Sequence, residues 1–242
     1  MAVGLQAEEI MRVIIYAAGV SIRLKSIADD GLKGLLDYKG KKIIEHQLDW
    51  ISELDLTEIV VVIGLEHERY VKSLGYVYDG VPIRYVYNPF YKDKGNMLSL
   101  WYAKEYCDTD ILFTTSDLVC DIGDIQLFVQ SRHENKILVD MKSTELFEDP
   151  DPVKVSVKND RITGIRKNSY ELDQVDGIAI GVYRFSISGI KSIINAIDNK
   201  IMQGEDDLSL YYAVDAVLEE IEVRPVVTRK NQYEVENILT VN

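Results

Sequence analysis

The stretch VIIYAAGVSIRLKSIADDGLKGLLD, which spans residues 13–37, is the part of the chain that decides the fold. Its first four residues form a short apolar run, which is typical of a buried parallel strand. Arg23 and Lys33 lie further along and supply fixed positive charge. Small residues in between let a backbone come close to a ligand, and with these cations they suit the phosphates of a nucleoside triphosphate. The small residues are Ala17, Ala18 and Gly19.

The composition narrows the classes of partner. The 242 residues carry a formal net charge of −13, which argues against nucleic acid because phosphate backbones attract basic surfaces. No apolar run approaches the ~18 residues that a membrane helix requires, so no membrane partner is expected. Cys107 and Cys120 do not make a disulfide framework, and without a secretory start they predict a cytoplasmic protein.

Alternating strand and helix patterns predict the fold class. Apolar, β-branched or alternating segments at residues 13–16, 58–63, 83–87 and 110–115 are expected to be strands, with helical patterns at 41–54, 66–73 and 97–106 between them. This alternation predicts an α/β fold with a largely parallel sheet, helices on both faces, and ligands at the carboxyl ends of the strands. The second half adds strands at 153–157, 161–165, 176–185 and 222–227, and helices at 188–202 and 208–218.

The chain shows no internal repeat or linker, so we expect a single domain over residues 11–242. Residues 1–10 are expected to be a disordered or tag-derived extension, with Met11 as the natural start.

Asp117 directly follows the predicted strand at residues 110–115. A carboxylate at the carboxyl end of a strand can bind a metal ion at the open edge of the sheet. From its position alone, the residue can also be a turn or helix-cap aspartate.

The segment Tyr-Ala-Ala-Gly-Val-Ser-Ile-Arg-Leu at residues 16–24, followed by Leu-Lys-Gly-Leu at 32–35, resembles a family signature. It is similar to that of the nucleotidyltransferases that join a nucleoside triphosphate to a sugar phosphate or a small phosphorylated alcohol. Ser21, Ile22 and Leu32 replace the glycine, the hydroxyl residue and the proline of that signature. The resemblance implies a single-domain, Rossmann-like nucleotide-diphospho-sugar transferase fold with a mixed, mostly parallel central sheet and helices on both faces.

The resemblance also implies residue roles. An acceptor phosphate oxygen would attack the α-phosphorus, and pyrophosphate would leave. Arg23 would hold the leaving phosphates and Lys33 would stabilise charge at the α-phosphate. The nucleotide would lie against the backbone of Ala17, Ala18 and Gly19.

The implied cofactor is Mg²⁺, held by Asp117 and by a second carboxylate near the C-terminus. Glu236 stands where the family usually has aspartate, and Glu234 is a nearby substitute. Glutamate can bind Mg²⁺, but its extra methylene moves its oxygens.

Asn-Pro-Phe-Tyr at residues 88–91 and Asn-Met-Leu-Ser-Leu at 96–100 resemble the small cytidylyltransferases that use CTP. The glycine-rich turn of the sugar nucleotide enzymes is missing here. The resemblance places Asn96 and Ser99 beside the nucleotide at the start of a helix. Asn96 can also be a plain helix N-cap, and capping is compatible with ligand contact.

Two more residues are assigned to the acceptor by the same resemblance. Lys167 would reach the acceptor phosphate, although a hairpin lysine more often protects an edge strand. Gly177 would let the acceptor approach the sheet. Four aromatic residues could cage a quaternary amine, although such residues more often pack in a core or an interface. They are Trp101, Tyr102, Tyr211 and Tyr212.

These residues predict a Mg²⁺-dependent cytidylyltransferase that transfers CMP from CTP to a small phosphorylated alcohol or phosphonate, of the phosphocholine, inositol phosphate or aminoethylphosphonate type. One alternative is a sugar-1-phosphate nucleotidyltransferase that uses UTP or dTTP. An alternative of another class is a catalytically degenerate, nucleotide-binding regulatory protein, favoured by the substitutions at Ser21, Ile22, Leu32 and Glu236. Members of the family are often dimers or tetramers, so a homodimer is one possible assembly.

Overall fold

The computed structural model describes residues 11–19, 32–64, 66–144, 147–148 and 152–229, together with the backbone of residues 233–234. The predicted sites at Ser21, Ile22, Arg23 and Glu236, and the predicted extension at residues 1–10, therefore lie outside the described residues. The strands are β1 (Met11–Ala17), β2 (Asp37–Tyr38), β3 (Lys41–Lys42), β4 (Glu58–Ile63), β5 (Val77–Tyr78), β6 (Val81–Tyr87), β7 (Asp110–Thr115), β8 (Leu118–Val119), β9 (Lys136–Asp140), β10 (Val153–Lys158), β11 (Arg161–Arg166), β12 (Gly177–Phe185), β13 (Arg224–Val227) and β14 (Tyr233–Glu234).

A mixed sheet forms the centre of the molecule, with the strand order β11-β10-β12-β7-β1-β4-β6-β5. Strand β1 lies between β4 and β7 and runs parallel to both, with Tyr16 opposite Val62 and Thr115. The β9 strand pairs with β12, and β13 extends β9 in parallel. The predicted fold class is confirmed. Because β1, β4 and β7 are parallel neighbours, their carboxyl ends meet at one edge of the sheet.

Six α-helices lie in the part of the chain that the structure describes, and they cover the two faces of the sheet. Alternate residues of β1 face two separate cores, since Ile14 packs in one core with Met97, whereas Ile15 packs in the other with Leu48. No helix among the described residues is both long and apolar enough to span a membrane. The helices are α1 (Ile43–Ile51), α2 (His67–Leu74), α3 (Met97–Tyr102), α4 (Ile122–Gln130), α5 (Ile187–Met202) and α6 (Leu210–Ala216).

Strands β10, β11 and β12 pair antiparallel, and the β10–β11 hairpin was predicted from the sequence pattern. Strands β10 and β11 pair across a turn in which Asn159 and Asp160 both have positive φ, of 53° and 58°. Asparagine and aspartate tolerate this conformation better than most side chains, which explains why the turn forms here.

Apart from two-residue strands and 3₁₀ turns, the elements that the sequence patterns did not predict are α4 and β9. All five residues of β9 are buried, but the strand begins with Lys136 and ends with Asp140, so it does not read as an apolar run. The helix predicted over residues 97–106 is also divided. It ends as an α-helix at Tyr102, and a 3₁₀ turn follows at Lys104–Tyr106.

Candidate active site

A cavity of about 280 Å³ opens at the carboxyl ends of β1 and β7. Its position agrees with the general rule that ligands bind beyond the carboxyl ends of strands in open α/β sheets. The cavity contains positively charged, negatively charged and aromatic side chains. Those that bear on its chemistry are Tyr16, Lys33, Asn96, Thr115, Asp117, Lys167, Gly181, Tyr183, Ser209 and Tyr211.

Lys33 and Asp117 meet at one wall of this cavity. The Lys33 Nζ donates a hydrogen bond to Asp117 Oδ2 at 2.9 Å, although the two residues are 84 positions apart in the chain. The side chains keep 20% and 16% of their exposure, so the ion pair is shielded from water but still reachable from the cavity. The predicted cation and the predicted carboxylate are therefore in direct contact.

Lys33 is presented by a 3₁₀ turn, Lys33–Leu35, that follows the buried Leu32. Leu32 has φ −80°, which is close to the value that a proline ring fixes. A proline could adopt the same φ at this position, and the leucine side chain packs into the core beside β1.

The small residues at the end of β1 show how closely a ligand can approach. Ala17 and Ala18 are buried, whereas Gly19 is exposed, and a Cβ on Gly19 would meet no described atom within 4 Å. Among the described residues, none fills the space beside Gly19 at the end of this strand.

Asn96 lines the cavity but is not a side-chain N-cap. Its Oδ1 accepts a hydrogen bond from the backbone N–H of Leu210 at 2.8 Å, and so joins the start of α3 to the start of α6. Ser99 is 3% exposed and accepts a hydrogen bond from the Asn88 side-chain amide, and it is not among the residues that line the cavity.

Lys167 lines the cavity just after β11 ends. Its carbonyl accepts a hydrogen bond at 2.8 Å from the Nζ of Lys154, which is fully buried on β10. A buried lysine is costly unless its ammonium group is hydrogen-bonded, so this contact ties the backbone at Lys167 to the neighbouring strand.

Two glycines on β12 have different surroundings. Gly177 does not line the cavity. It packs against β9, where a Cβ would lie 2.6 Å from the Val139 Cγ1. Gly181 does line the cavity, with φ +88° at an irregularity in the pairing with β9. Sequence reasoning singled out the first and missed the second, and the signal for Gly181 would have been a glycine inside a strand pattern, which often marks a bulge.

The aromatic side chains at the cavity are those of Phe113 and of three tyrosines, Tyr16, Tyr183 and Tyr211. Burial raises the pKa of the Tyr16 and Tyr211 hydroxyls, so they stay neutral. Of the four residues proposed as a cage, Tyr211 lines this cavity, whereas the Trp101 Nε1 donates to Asp198. Sequence reasoning did not single out Tyr16 or Tyr183 as site residues.

The chemistry of the donor set fits a magnesium ion that is shared with a substrate. Proteins usually hold Mg²⁺ with one or two carboxylates plus substrate phosphates, and Asp117 offers one carboxylate at the cavity. The described chain contains no group of three or more metal-binding side chains. In the short antiparallel pair of β14 with β8, Glu234 lies opposite Leu118, so the C-terminal segment passes beside Asp117.

The known proteins to which this chain is similar are enzymes that transfer nucleotides. A family model described as a MobA-like NTP transferase domain matches residues 13–159. A UTP–glucose-1-phosphate uridylyltransferase from Haloferax volcanii is 29% identical over 117 residues, which is 48% of this chain and 47% of that protein. A CTP:phosphoglutamine cytidylyltransferase from Campylobacter jejuni is 26% identical over 199 residues, or 76% of each chain. The chain thus aligns with about half of the first relative and three quarters of the second.

A solved structure shares the fold. The CTP:phosphocholine cytidylyltransferase from Streptococcus pneumoniae has a TM-score of 0.75 at 22% identity, and the match covers 96% of this chain and 97% of that one.

Proposed function

Since the chain belongs to the MobA-like NTP transferase domain family, we propose that it is a Mg²⁺-dependent cytidylyltransferase. It transfers CMP from CTP to a small phosphorylated alcohol or phosphonate and releases pyrophosphate. Two comparisons support the choice of CTP, because the Campylobacter relative and the pneumococcal structure both bear names of CTP-using enzymes. We propose further that the enzyme is cytoplasmic. We also propose that it works as a homodimer, and light scattering on the purified chain would test this assembly.

The observation that carries this proposal is the placement of Lys33, Asp117 and Lys167 around one cavity at the end of β1 and β7. Nucleotidyl transfer requires two negatively charged phosphate groups to approach each other. Catalysis therefore consists of alignment and charge neutralisation, and the protein needs no covalent intermediate. Two lysines and one carboxylate in a 280 Å³ space are suited to this task.

In the proposed reaction an oxygen of the acceptor phosphate attacks the α-phosphorus of CTP, and the bond to the pyrophosphate oxygen breaks. Lys33 neutralises charge at the α-phosphate, while Lys167 holds the acceptor phosphate. Asp117 is the ligand for Mg²⁺, which when bound would neutralise the phosphate oxygens. Arg23 is assigned to the leaving phosphates by its place in the signature, and Ala17, Ala18 and Gly19 to the nucleotide.

Three further assignments belong to the proposal. Asn96 contacts the nucleotide while its Oδ1 accepts the hydrogen bond from the N–H of Leu210. Ser99, at the start of the same helix, is assigned to the nucleotide with it. Gly177 keeps the acceptor side of β12 close to β9, because a Cβ there would collide with Val139. Glu236 completes the magnesium site.

A second candidate is a sugar-1-phosphate nucleotidyltransferase that uses UTP or dTTP. The observation in its favour is the Haloferax relative, whose name specifies UTP and glucose 1-phosphate. The segment at residues 88–100, which lacks a glycine-rich turn, favours the cytidylyltransferase.

The test is pyrophosphate release with Mg²⁺ across four nucleotides and a panel of acceptors: phosphocholine, inositol phosphate, aminoethylphosphonate, phosphoglutamine, glycerol phosphate and glucose 1-phosphate. Turnover confined to CTP and a non-sugar acceptor is the expected result. Turnover only with UTP or dTTP and glucose 1-phosphate would establish the second candidate. No turnover, with nucleotide binding still measured by calorimetry, would support a regulatory protein and make Ser21 and Ile22 the residues to revert.

A further inference from the structure

Tyr70 is a tyrosine in a place where packing alone would accept phenylalanine. It lies on α2, is 1% exposed, and packs in the core that α1, α2 and α4 form against the sheet. A buried hydroxyl is costly unless it is hydrogen-bonded. The Tyr70 hydroxyl is hydrogen-bonded to the side chain of Ser116 and to the backbone of Gly34.

These two partners immediately adjoin the ion pair at the cavity. Gly34 follows Lys33, and Ser116 precedes Asp117. The two segments also touch directly, since a Cβ on Gly34 would lie 3.0 Å from the Ser116 Cβ and 3.1 Å from the Ser116 carbonyl oxygen. The hydroxyl of Tyr70 therefore bridges two segments that come from distant parts of the chain.

We propose that Tyr70 is a positioning residue, whose buried hydroxyl holds the Lys33 segment against the Asp117 segment so that both side chains face the same reacting phosphates. This inference rests on the proposed function. It concerns a residue that lies outside the cavity and acts through its two partners.

The physical need for such a bridge follows from the ion pair itself. A partly exposed Lys–Asp pair contributes little to holding two chain segments together, because water and salt screen it. A buried, neutral hydroxyl is not screened in this way. Burial raises the pKa of Tyr70 well above its ordinary value, so the hydroxyl remains protonated throughout the working pH range.

The same strand end is also held from α1. The Gln47 Nε2 donates to the carbonyl of Thr115 at 2.8 Å, and Gln47 is 2% exposed. The end of β7 is thus fixed by buried polar contacts from two helices. Of these two residues, Tyr70 is also hydrogen-bonded to the Lys33 segment, at the backbone of Gly34.

The test compares Tyr70→Phe with Tyr85→Phe. The Tyr85 hydroxyl donates to the carbonyl of Gly75, away from the cavity, so both variants lose one tyrosine hydroxyl and its hydrogen bonding. Misplacement of a catalytic group by about 1 Å can cost ~100-fold in rate. We expect Tyr70→Phe to lower kcat about tenfold or more and to raise the Mg²⁺ concentration needed for half-maximal rate, while Tyr85→Phe changes neither. A merely structural role would lower the melting temperature without moving the Mg²⁺ dependence.

A double substitution separates positioning from general loosening. If Tyr70 acts through Ser116, the combined Tyr70→Phe and Ser116→Ala protein loses no more than about the rate that Tyr70→Phe loses alone. Wild-type kcat and Mg²⁺ dependence in a folded Tyr70→Phe protein would overturn the proposal.

Calorimetry distinguishes this failure from failure of the proposed function. If the wild type turns over no acceptor, the proposed function fails, and the affinity for Mn²⁺–CTP becomes the measure of positioning. Weaker binding in Tyr70→Phe than in Tyr85→Phe would still support the role of Tyr70, and equal binding would refute it.

Discussion

Replacing Asp117 by asparagine tests the centre of the proposed site. The amide keeps the size of the side chain but removes the negative charge that faces Lys33 at 2.9 Å. It also removes the carboxylate that would bind Mg²⁺, because a neutral amide is a weaker ligand than an ionised carboxylate. The variant thus changes charge with little change in shape.

The expected effect on folding is small. Both side chains retain 16–20% exposure, and ion pairs that water can reach contribute about 0–1 kcal/mol. The expected effect on the reaction is larger, since removing one group that stabilises developing charge costs about 2.7–4 kcal/mol, or ~10²–10³-fold in kcat. The rise in the activation free energy of the reaction should therefore be about three times the loss in the free energy of unfolding, or more.

The assay is pyrophosphate release at saturating nucleotide and acceptor, with urea unfolding on the same protein. Asp49→Asn is the matched control, because Asp49 also pairs with a lysine, Lys41 at 2.6 Å, but does not line the cavity. An Asp117→Asn protein that keeps more than about a tenth of the wild-type kcat would refute the assignment of Asp117. An equal loss in Asp49→Asn would show that the effect is not specific to the site.

Three further outcomes are expected. Gly181→Ala should lower the free energy of unfolding by about 1–2 kcal/mol in urea titrations, because alanine is strained at φ +88° and its Cβ would lie 3.3 Å from the Thr115 Oγ1; unchanged stability would contradict this. Asn96→Ala should cost about 1–2 kcal/mol, since the N–H of Leu210 loses its 2.8 Å acceptor, and should raise the KM for nucleotide in steady-state kinetics. Burial raises the pKa of the Cys107 thiol from its ordinary 9.0 to about 12. As the pH rises, the unfolded chain therefore loses the thiol proton before the folded chain does. The stability that the buried neutral thiol contributes is fully present below pH 9, and it is lost at up to about 1.4 kcal/mol per pH unit between pH 9 and 12. Urea titrations at pH 8 and 10.5 should show a smaller fall for Cys107→Ala than for the wild type.

The strands at the centre of the sheet were predicted well from the sequence, and the reason is burial on both faces. Residues 58–63 and 110–115 each begin with an acidic residue and are otherwise apolar or β-branched, and the structure has strands with these same bounds. By contrast, β9 was missed, because Lys136 and Asp140 are charged residues whose burial depends on partners elsewhere. The Lys136 Nζ donates to backbone carbonyls at the end of α4, and Asp140 accepts from Ser143.

The residues of the candidate site were likewise predicted from the sequence only in part. The family resemblance singled out Lys33 and Lys167, and Asp117 was singled out both by the resemblance and by its position directly after a predicted strand. A glycine inside a strand pattern was the only sequence signal for Gly181, and it did not show whether Gly177 or Gly181 lines the cavity. That choice depends on backbone dihedral angles and on which strand packs against each glycine.

The sequence by itself therefore determined the fold class, most of the longer strands and helices, the family signature, and the types of residue that the chemistry requires, since these depend on local periodicity and on residues close together in the chain. Only the tertiary structure decided which of those residues meet. The contact of Lys33 with Asp117 joins positions 84 apart, and the bond from Leu210 to Asn96 joins positions 114 apart. Such contacts are created by the pairing of parallel strands and the docking of helices on them, which bring distant segments to one edge of the sheet. Tyr70 shows this most clearly, because nothing in its local sequence distinguishes a core tyrosine from one whose hydroxyl joins two segments of a site.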